Sequence, residues 1–292
     1  MEVIGKKAEL NNPRLRALDA MKKSVPHEVW AKNVEFTQAL RAEIRQHKLN
    51  YHHMIYELSF GSFNKNILKD IHLDYRHAIV QIFTDALTMA QAQSRQIEPR
   101  LPPGSRIGPR FLLTLNCLDE FGFQPGLDLE GYYRGNPGQA HYPLFERLLD
   151  DLQVSTAQRK RFEPSKEACA LKSLLENSFH HYQSILVLLA VAEEQVILFS
   201  PPLRNAVEKT GHNVQDGYYF VHGTTSEKDT NAADDDHEED LWNALNQACV
   251  PEDYSLLRAT ALMYMDLWSD FWNLQAHRAS SLNTADAVCE VN

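Results

Sequence analysis

Apolar residues along this chain recur at helical rather than strand spacing. Val34, Phe36, Leu40 and Ile44 mark a helix that opens near Pro26, and Asn50 to Phe60 forms a short second segment. From Ser62 to about residue 95 one long stripe is made by Ile67, Ile71, Tyr75, Ala78, Ile79, Ile82, Phe83 and Leu87. Pro99, Pro102, Pro103 and Gly104 break the chain there. A helix over Arg110–Phe121, a Gly/Pro/Asp loop over Gly122–Gly138 and a helix opened by His141 follow. Residues 165–200 read as the most apolar helix, stopped by Pro201 and Pro202, with 203–222 helical again. After an acidic run from Glu227 to Asp240, helices are predicted over 238–248 and 252–277. Residues 1–25 are polar and basic and read as a loosely attached arm, and 278–292 as a disordered tail. The expectation is an all-α single domain over 26–277, with roughly seven to nine helices and no internal repeat.

Composition narrows the function. The 292 residues carry a formal charge of −10 and no Lys/Arg cluster, which argues against nucleic acid as a partner. The apolar run from Ile185 to Phe199 is too short and too charged to span a bilayer, and the N-terminus lacks an apolar signal core. Cys117, Cys169, Cys249 and Cys289 are far apart and read as reduced thiols of a cytoplasmic protein. There is no glycine-rich dinucleotide fingerprint, P-loop, nucleophile elbow or zinc-protease motif. Histidine and carboxylate remain as the chemistry-bearing groups.

The apolar run from Ile185 to Phe199 is interrupted by two adjacent acids, Glu193 and Glu194. A bare buried carboxylate is costly and normally stands beside a cation, a metal or a full set of donors. The same pair would also suit a narrow solvent-facing strip of a core helix. Asp119 and Glu120 end an apolar helix where the macrodipole disfavours acids. His141 opens the next helix, a place that cap histidines also occupy. His222 follows an aromatic patch, and Asp234 and His237 are three apart, so they share one helix face, as an acidic surface loop with an incidental histidine would also allow. Asp74 with His77, and Glu176 with His180, are further acid–histidine pairs that look partly buried. His27, His47, His52, His53, His212 and His277 fall in polar surroundings and read as surface residues. Three histidines and three carboxylates without thiolate suit two iron or manganese ions in a helical core.

The order of these groups resembles the heme-oxygenase-like diiron oxidases and oxygenases, the iron-containing redox enzymes. Asn116 to Gly122 is similar to the family's first stretch, His141 to the histidine opening the next helix, and Glu193 to the acid in a very apolar helix. His222, Asp234 and His237 are similar to its closing trio. The resemblance covers about residues 50 to 250. It implies a heme-oxygenase-like helical bundle with two Fe ions held by Glu120, His141, Glu193, His222, Asp234 and His237. Glu194 in place of Glu193, and Asp119 in place of Glu120, stay open. The gap from Glu120 to His141 is longer than the family's. The family's last spacing, counted from His222, lands on Ser226 and Asp229, and Asp-x-x-His returns only at Asp234 and His237, so Asp229 is the alternative ligand.

What the resemblance implies is O2 activation as co-substrate, and oxidation of a small carboxylate-bearing molecule of amino-acid or fatty-acid origin, as in natural-product pathways. C–H abstraction leading to C–C cleavage or desaturation, or N-oxygenation, are the reactions implied. Arg76, Arg106 and Arg110 are the candidates for binding the carboxylate, although an ordinary surface or ion-pair role suits each of them better, and a homodimer is the implied assembly. Tyr264, Trp268, Phe271 and Trp272 stand at helical spacing and read as core. Two other classes remain: a metal-free acid–base enzyme on the same fold, thiaminase-like or of the quinone-cofactor-synthesis kind, and a non-enzymatic helical interaction protein.

Overall fold

The computed structural model describes residues 12–61, 63–222 and 233–289, with the side chains of 233–236 and 282–289 outside that description. The chain is helical almost throughout. The helices are α1 (Pro13–Ser24), α2 (His27–Gln46), α3 (His53–Phe60), α4 (Lys65–Tyr75), α5 (Phe83–Gln93) and α6 (Ile107–Glu120), then α7 (His141–Asp151) and α8 (Thr156–Arg161). They continue as α9 (Lys166–Asn177), α10 (Tyr182–Lys209), α11 (Tyr218–Val221), α12 (Ala233–Ala248) and α13 (Tyr254–Cys289). The all-α class stands. The helices outnumber the seven to nine expected because two long runs are broken and one-turn pieces intervene.

Helix α10 is the axis of the bundle. Its residues from Ile185 to Ala192 are fully buried, and α3, α5, α12 and α13 pack around it. At 28 residues it is long and apolar enough to cross a membrane, contrary to the shorter run expected, but 72% of its most apolar 18-residue stretch is buried inside the protein. Pro201 and Pro202 do not stop it. Each removes one backbone donor, yet Leu203, Ala206 and Val207 beyond them are buried, and that packing carries the helix on. The break falls instead between Asn177 and Tyr182. There the side chain of Gln96 accepts from Tyr182 N (3.1 Å) and donates to His180 O (2.8 Å), satisfying the backbone that an unbroken helix would have paired.

Helix α13 lays Tyr264, Trp268, Phe271 and Trp272 into the core as expected, with Trp272 stacked on Phe199 at 4.1 Å between centroids. Offset aromatic stacking of this kind is worth about 0.5–1.5 kcal/mol beyond its area. Two terminal expectations are corrected. Residues 13–24, read as part of a loose arm, form α1 under an Asn12 cap, with Met21 fully buried against Gly108 and Arg14 paired with Asp240. Residues 278–289, read as part of a disordered tail, continue α13, because Arg278 bonds the buried carboxylate of Asp74. Residues 1–11 and 290–292 lie outside the described part.

The loop between α6 and α7 folds into a short antiparallel pair, β1 (Phe123–Leu127) with β2 (Tyr133–Gly135). Its strands are exposed on both faces, so no apolar alternation announced them. The long run expected over 62–95 is interrupted by a π-helical turn at Arg76–Val80. Such bulges are rare and concentrate at functional sites.

Candidate metal centre

Five of the six expected ligand residues converge where α6, α7, α10, α11 and α12 meet. Glu120 is the last residue of α6 and His141 the first of α7, 21 positions later. Gly122 brings them together. Its φ of +79° turns the chain, and a Cβ there would stand 2.6 Å from both Ala140 N and Asn136 O. Asn136 N also donates to Gly122 O at 3.0 Å, so the hairpin closes on itself and the two helix ends touch. The extra length of the gap is thus taken up by an exposed hairpin.

His141 Nδ1 lies 2.9 Å from Glu120 Oε1 and 3.0 Å from His222 Nε2. Each of these three buried side chains offers a donor atom, and the three atoms fall within 4.8 Å of one another. The His141 and His222 rings meet edge-on, 4.4 Å apart at 82°. His237, in the second turn of α12, places Nδ1 3.6 Å from Glu193 Oε1 on α10. Asn116 fastens α12 to α6 by donating to His237 O at 3.3 Å. Asp119 joins the group: its Oδ2 is 3.6 Å from His141 Nε2 and 3.5 Å from His237 Nε2. Asp229 lies outside the described residues, and Asp234 falls in the first turn of α12, where side chains are not described.

Charges respond to this crowding. Burial pushes the His237 pKa down, but Glu193, Glu120 and Asp119 outweigh it and hold the imidazole up at about 9. Burial raises Glu120, and His141, His222 and His237 more than reverse that, so its pKa is lowered. Glu194 points elsewhere. Burial and the Glu238 carboxylate lift it to about 7, opposed by Arg45 and Arg41. Glu238 in turn accepts from Arg41 and from Trp242 Nε1, each at 2.8 Å. Glu193 is therefore the acid that faces the histidines.

A small cavity of about 30 Å³ opens against these ligands, walled by Ile79, Val80, Phe83, Val196, Tyr142 and Tyr218 together with Glu120, His141, Glu193 and His222. The π turn supplies Ile79 and Val80. Tyr218 also lines a surface cleft of about 720 Å³. Arg76 bonds Glu146 and donates to Tyr142 Oη at 2.9 Å, which places it behind the cavity wall. Arg110 is engaged elsewhere, by Gln91 O at 3.0 Å and Ser94 Oγ at 2.8 Å. Arg106 pairs with Glu98.

The other acid–histidine pairs are not sites. Asp74 accepts from Ser165 N, Gln275 and Arg278, so it ties α4, α9 and α13 together. Glu176 and His180 are both exposed, not partly buried. His52, read as a surface residue, is buried and bonded to Asn273 Oδ1 at 3.0 Å. His72 was missed. It is buried, its Nδ1–H donates to Leu68 O at 2.6 Å, and its Nε2 accepts from Tyr219 Oη at 2.6 Å. The signal was present in the spacing of Leu68, Ile71, His72 and Tyr75, which places the histidine on the core stripe.

The fold is shared with solved helical proteins. A CADD-like protein of unknown function from Nostoc punctiforme is 17% identical, covers 84% of this chain and 99% of its own, and superposes with a TM-score of 0.56. A TenA family transcription regulator from Silicibacter is 14% identical, covers 82% and 96%, and scores 0.52. Residues 129–269 match the family of iron-containing redox enzymes, which bears out the resemblance read from the motifs. That stretch contains His141, Glu193, His222 and His237. No curated protein sequence matches the chain.

Proposed function

We propose that this protein is a cytoplasmic non-haem diiron oxidase or oxygenase acting on a small carboxylate-bearing substrate. The observation that carries the reading is the convergence of Glu120, His141 and His222, whose donor atoms lie within 4.8 Å of one another, with Glu193 and His237 alongside. The donor set fits iron: imidazole nitrogen and carboxylate oxygen only, and no cysteine sulfur among them. Glu120, His141 and Glu193 would largely hold one ion, and His222, Asp234 and His237 the other. When bound, the iron pair would supply the redox capacity to activate O2.

The chain's own residues do the rest. Carboxylates offset the ions' charge in a buried setting. Ile79, Val80, Phe83 and Val196 exclude water and present an apolar wall to a C–H bond. The cavity holds only a molecule or two the size of water, so the substrate enters from the cleft beyond Tyr218. Of the three arginines Arg76 stands nearest the cavity, one hydrogen bond behind its Tyr142 wall, and it would take the substrate carboxylate in exchange for Glu146. Hydrogen abstraction with cleavage or desaturation, or N-oxygenation of an amine, are the reactions such a pocket admits.

Acid–base chemistry without metal is the second reading, favoured by the proton that Glu193 helps to hold on His237. Anaerobic loading with Fe(II), metal analysis and O2 uptake separate the two. The diiron reading expects about two irons per chain and O2 consumption that chelators abolish. A chain that takes up no iron, with His222→Ala and Glu193→Ala behaving as wild type, would sink it. Activity that survives chelation would favour the acid–base reading.

A further inference from the structure

We infer that Asp119 is the positioning carboxylate for two of the metal-binding imidazoles at once. It would receive the Nε2–H of His141 and of His237 on Oδ2, and so turn both Nδ1 lone pairs inward. The inference rests on the metal-centre reading above. Its basis is a repeated geometry. His141 has Nδ1 beside Glu120 and His222, at 2.9 and 3.0 Å, and Nε2 beside Asp119 Oδ2 at 3.6 Å. His237 has Nδ1 beside Glu193 at 3.6 Å and Nε2 beside the same Asp119 oxygen at 3.5 Å. Two rings from two helices therefore point the same nitrogen at a ligand carboxylate and the other at one shared oxygen.

A neutral imidazole has one lone pair and one N–H. A ring that gives its lone pair to a metal must place its N–H on an acceptor, and a charged acceptor raises the basicity of the ligand nitrogen. Asp119 Oδ2 suits that role. The atom is buried and accepts no hydrogen bond within normal distance, although a third of the side chain reaches solvent on its other side. It stands behind the two rings, on the edge opposite the Nδ1 atoms, which separates it from the ligands proper. Both contacts are about half an ångström longer than a hydrogen bond, a gap that a small turn of the Asp119 carboxylate or of either ring closes. Glu120, the neighbouring acid, has its Oε1 on the ligand side of His141. The adjacent acids of α6 thus divide two tasks, coordination and orientation.

Asp119→Asn keeps the shape and removes the charge. Fe(II) affinity measured anaerobically against a competing chelator should fall about 10–100-fold, with the number of ions bound per chain unchanged. Co(II) loading gives a second reading. The wild type should show two exchangeable, paramagnetically shifted imidazole N–H resonances that Asp119→Asn moves or loses, and Asp119→Glu should restore part of the affinity. Metal-free wild type and variant should share the same near-UV and far-UV spectra, so that the lost affinity reports ring orientation and not a lost fold. Unchanged Fe(II) affinity overturns the inference, and so does loss of one ion from the stoichiometry, which would make Asp119 a direct ligand. A wild type that binds neither Fe(II) nor Co(II) overturns the metal-centre reading itself, so the two failures are distinct.

Discussion

His72 should make the fold acid-sensitive, and its surroundings set the size of the effect. Its Nδ1–H is committed to the Leu68 carbonyl, so Nε2 carries the lone pair that receives the Tyr219 hydroxyl. Burial holds its pKa down at about 4, with the Leu68 bond opposing and His212 adding to the shift. In the unfolded chain the same imidazole titrates near 6.5 (an ordinary value, about). A base depressed in the fold is protonated first in the unfolded chain. Stability is therefore unaffected above about pH 6.5 and is lost as the pH falls toward 4. The difference in proton uptake amounts to about 2 kcal/mol at pH 5 and about 3 kcal/mol at pH 4. Against a total of about 5–15 kcal/mol for a typical domain, that is a large fraction. Tyr219 stands one turn before His222, so the bond whose direction acid reverses, with a charge now buried beside it, also holds the segment carrying this ligand. Urea denaturation of wild type and His72→Gln across pH 7 to 4.5 measures the effect. The difference between the two cancels other titrating groups, and the wild type's lead should shrink by about 2 kcal/mol between pH 7 and 5. A difference that stays flat over that range refutes the reasoning.

Two further outcomes follow from the site. Gly122→Ala should destabilise the chain by about 2–4 kcal/mol and weaken Fe(II) binding, because a Cβ at positive φ would push Ala140 and His141 away from Glu120; unchanged denaturation and iron uptake would contradict the close approach. Iron binding near pH 7 should release about one proton per chain, because His237 is held protonated by Glu193, Glu120 and Asp119 and must be neutral to coordinate. Affinity should therefore rise with pH up to about 9, and calorimetry in buffers of different ionisation enthalpy reads the proton directly, with His237→Ala abolishing that release.

Much of the fold was legible because its information is local. The stripe of α4 and α5 and the aromatic face of α13 are periodicities that any packing partner would use. The errors fell where a distant group decides. Pro201 and Pro202 signal a stop by their own chemistry, and only the burial of Leu203 and Val207 by neighbouring helices overrides it. The break at 178–181 depends on Gln96, some eighty residues earlier. Residues 13–24 look solvated until Asp240 and Gly108 come to meet them. The exposed hairpin over 123–135 has no apolar face to betray it, yet it lets Glu120 and His141 meet across a gap that looked too long.

The adjacent acids show the same limit at the site. Neighbours on a helix are separated by about 100°, so an apolar helix bearing Glu193 and Glu194 must aim them at different surroundings. Periodicity gives that angle but not its origin, because the stretch just before the pair, Ile185 to Ala192, is apolar and fully buried on every side and gives no solvent face to count from. Helix α12 supplies the origin. It sets His237 against Glu193, and the next residue, Glu238, beside Glu194 and Arg41. One adjacent pair on each helix thus splits into an inner acid–imidazole contact and an outer carboxylate–guanidinium network. Trp242 fixes that division by donating to Glu238 Oε1 one turn along the same helix. Rotating α12 by one residue would set Glu238 against Glu193 and leave two buried carboxylates facing each other without a cation. The register of α12 on α10 is therefore an electrostatic choice as well as a packing one.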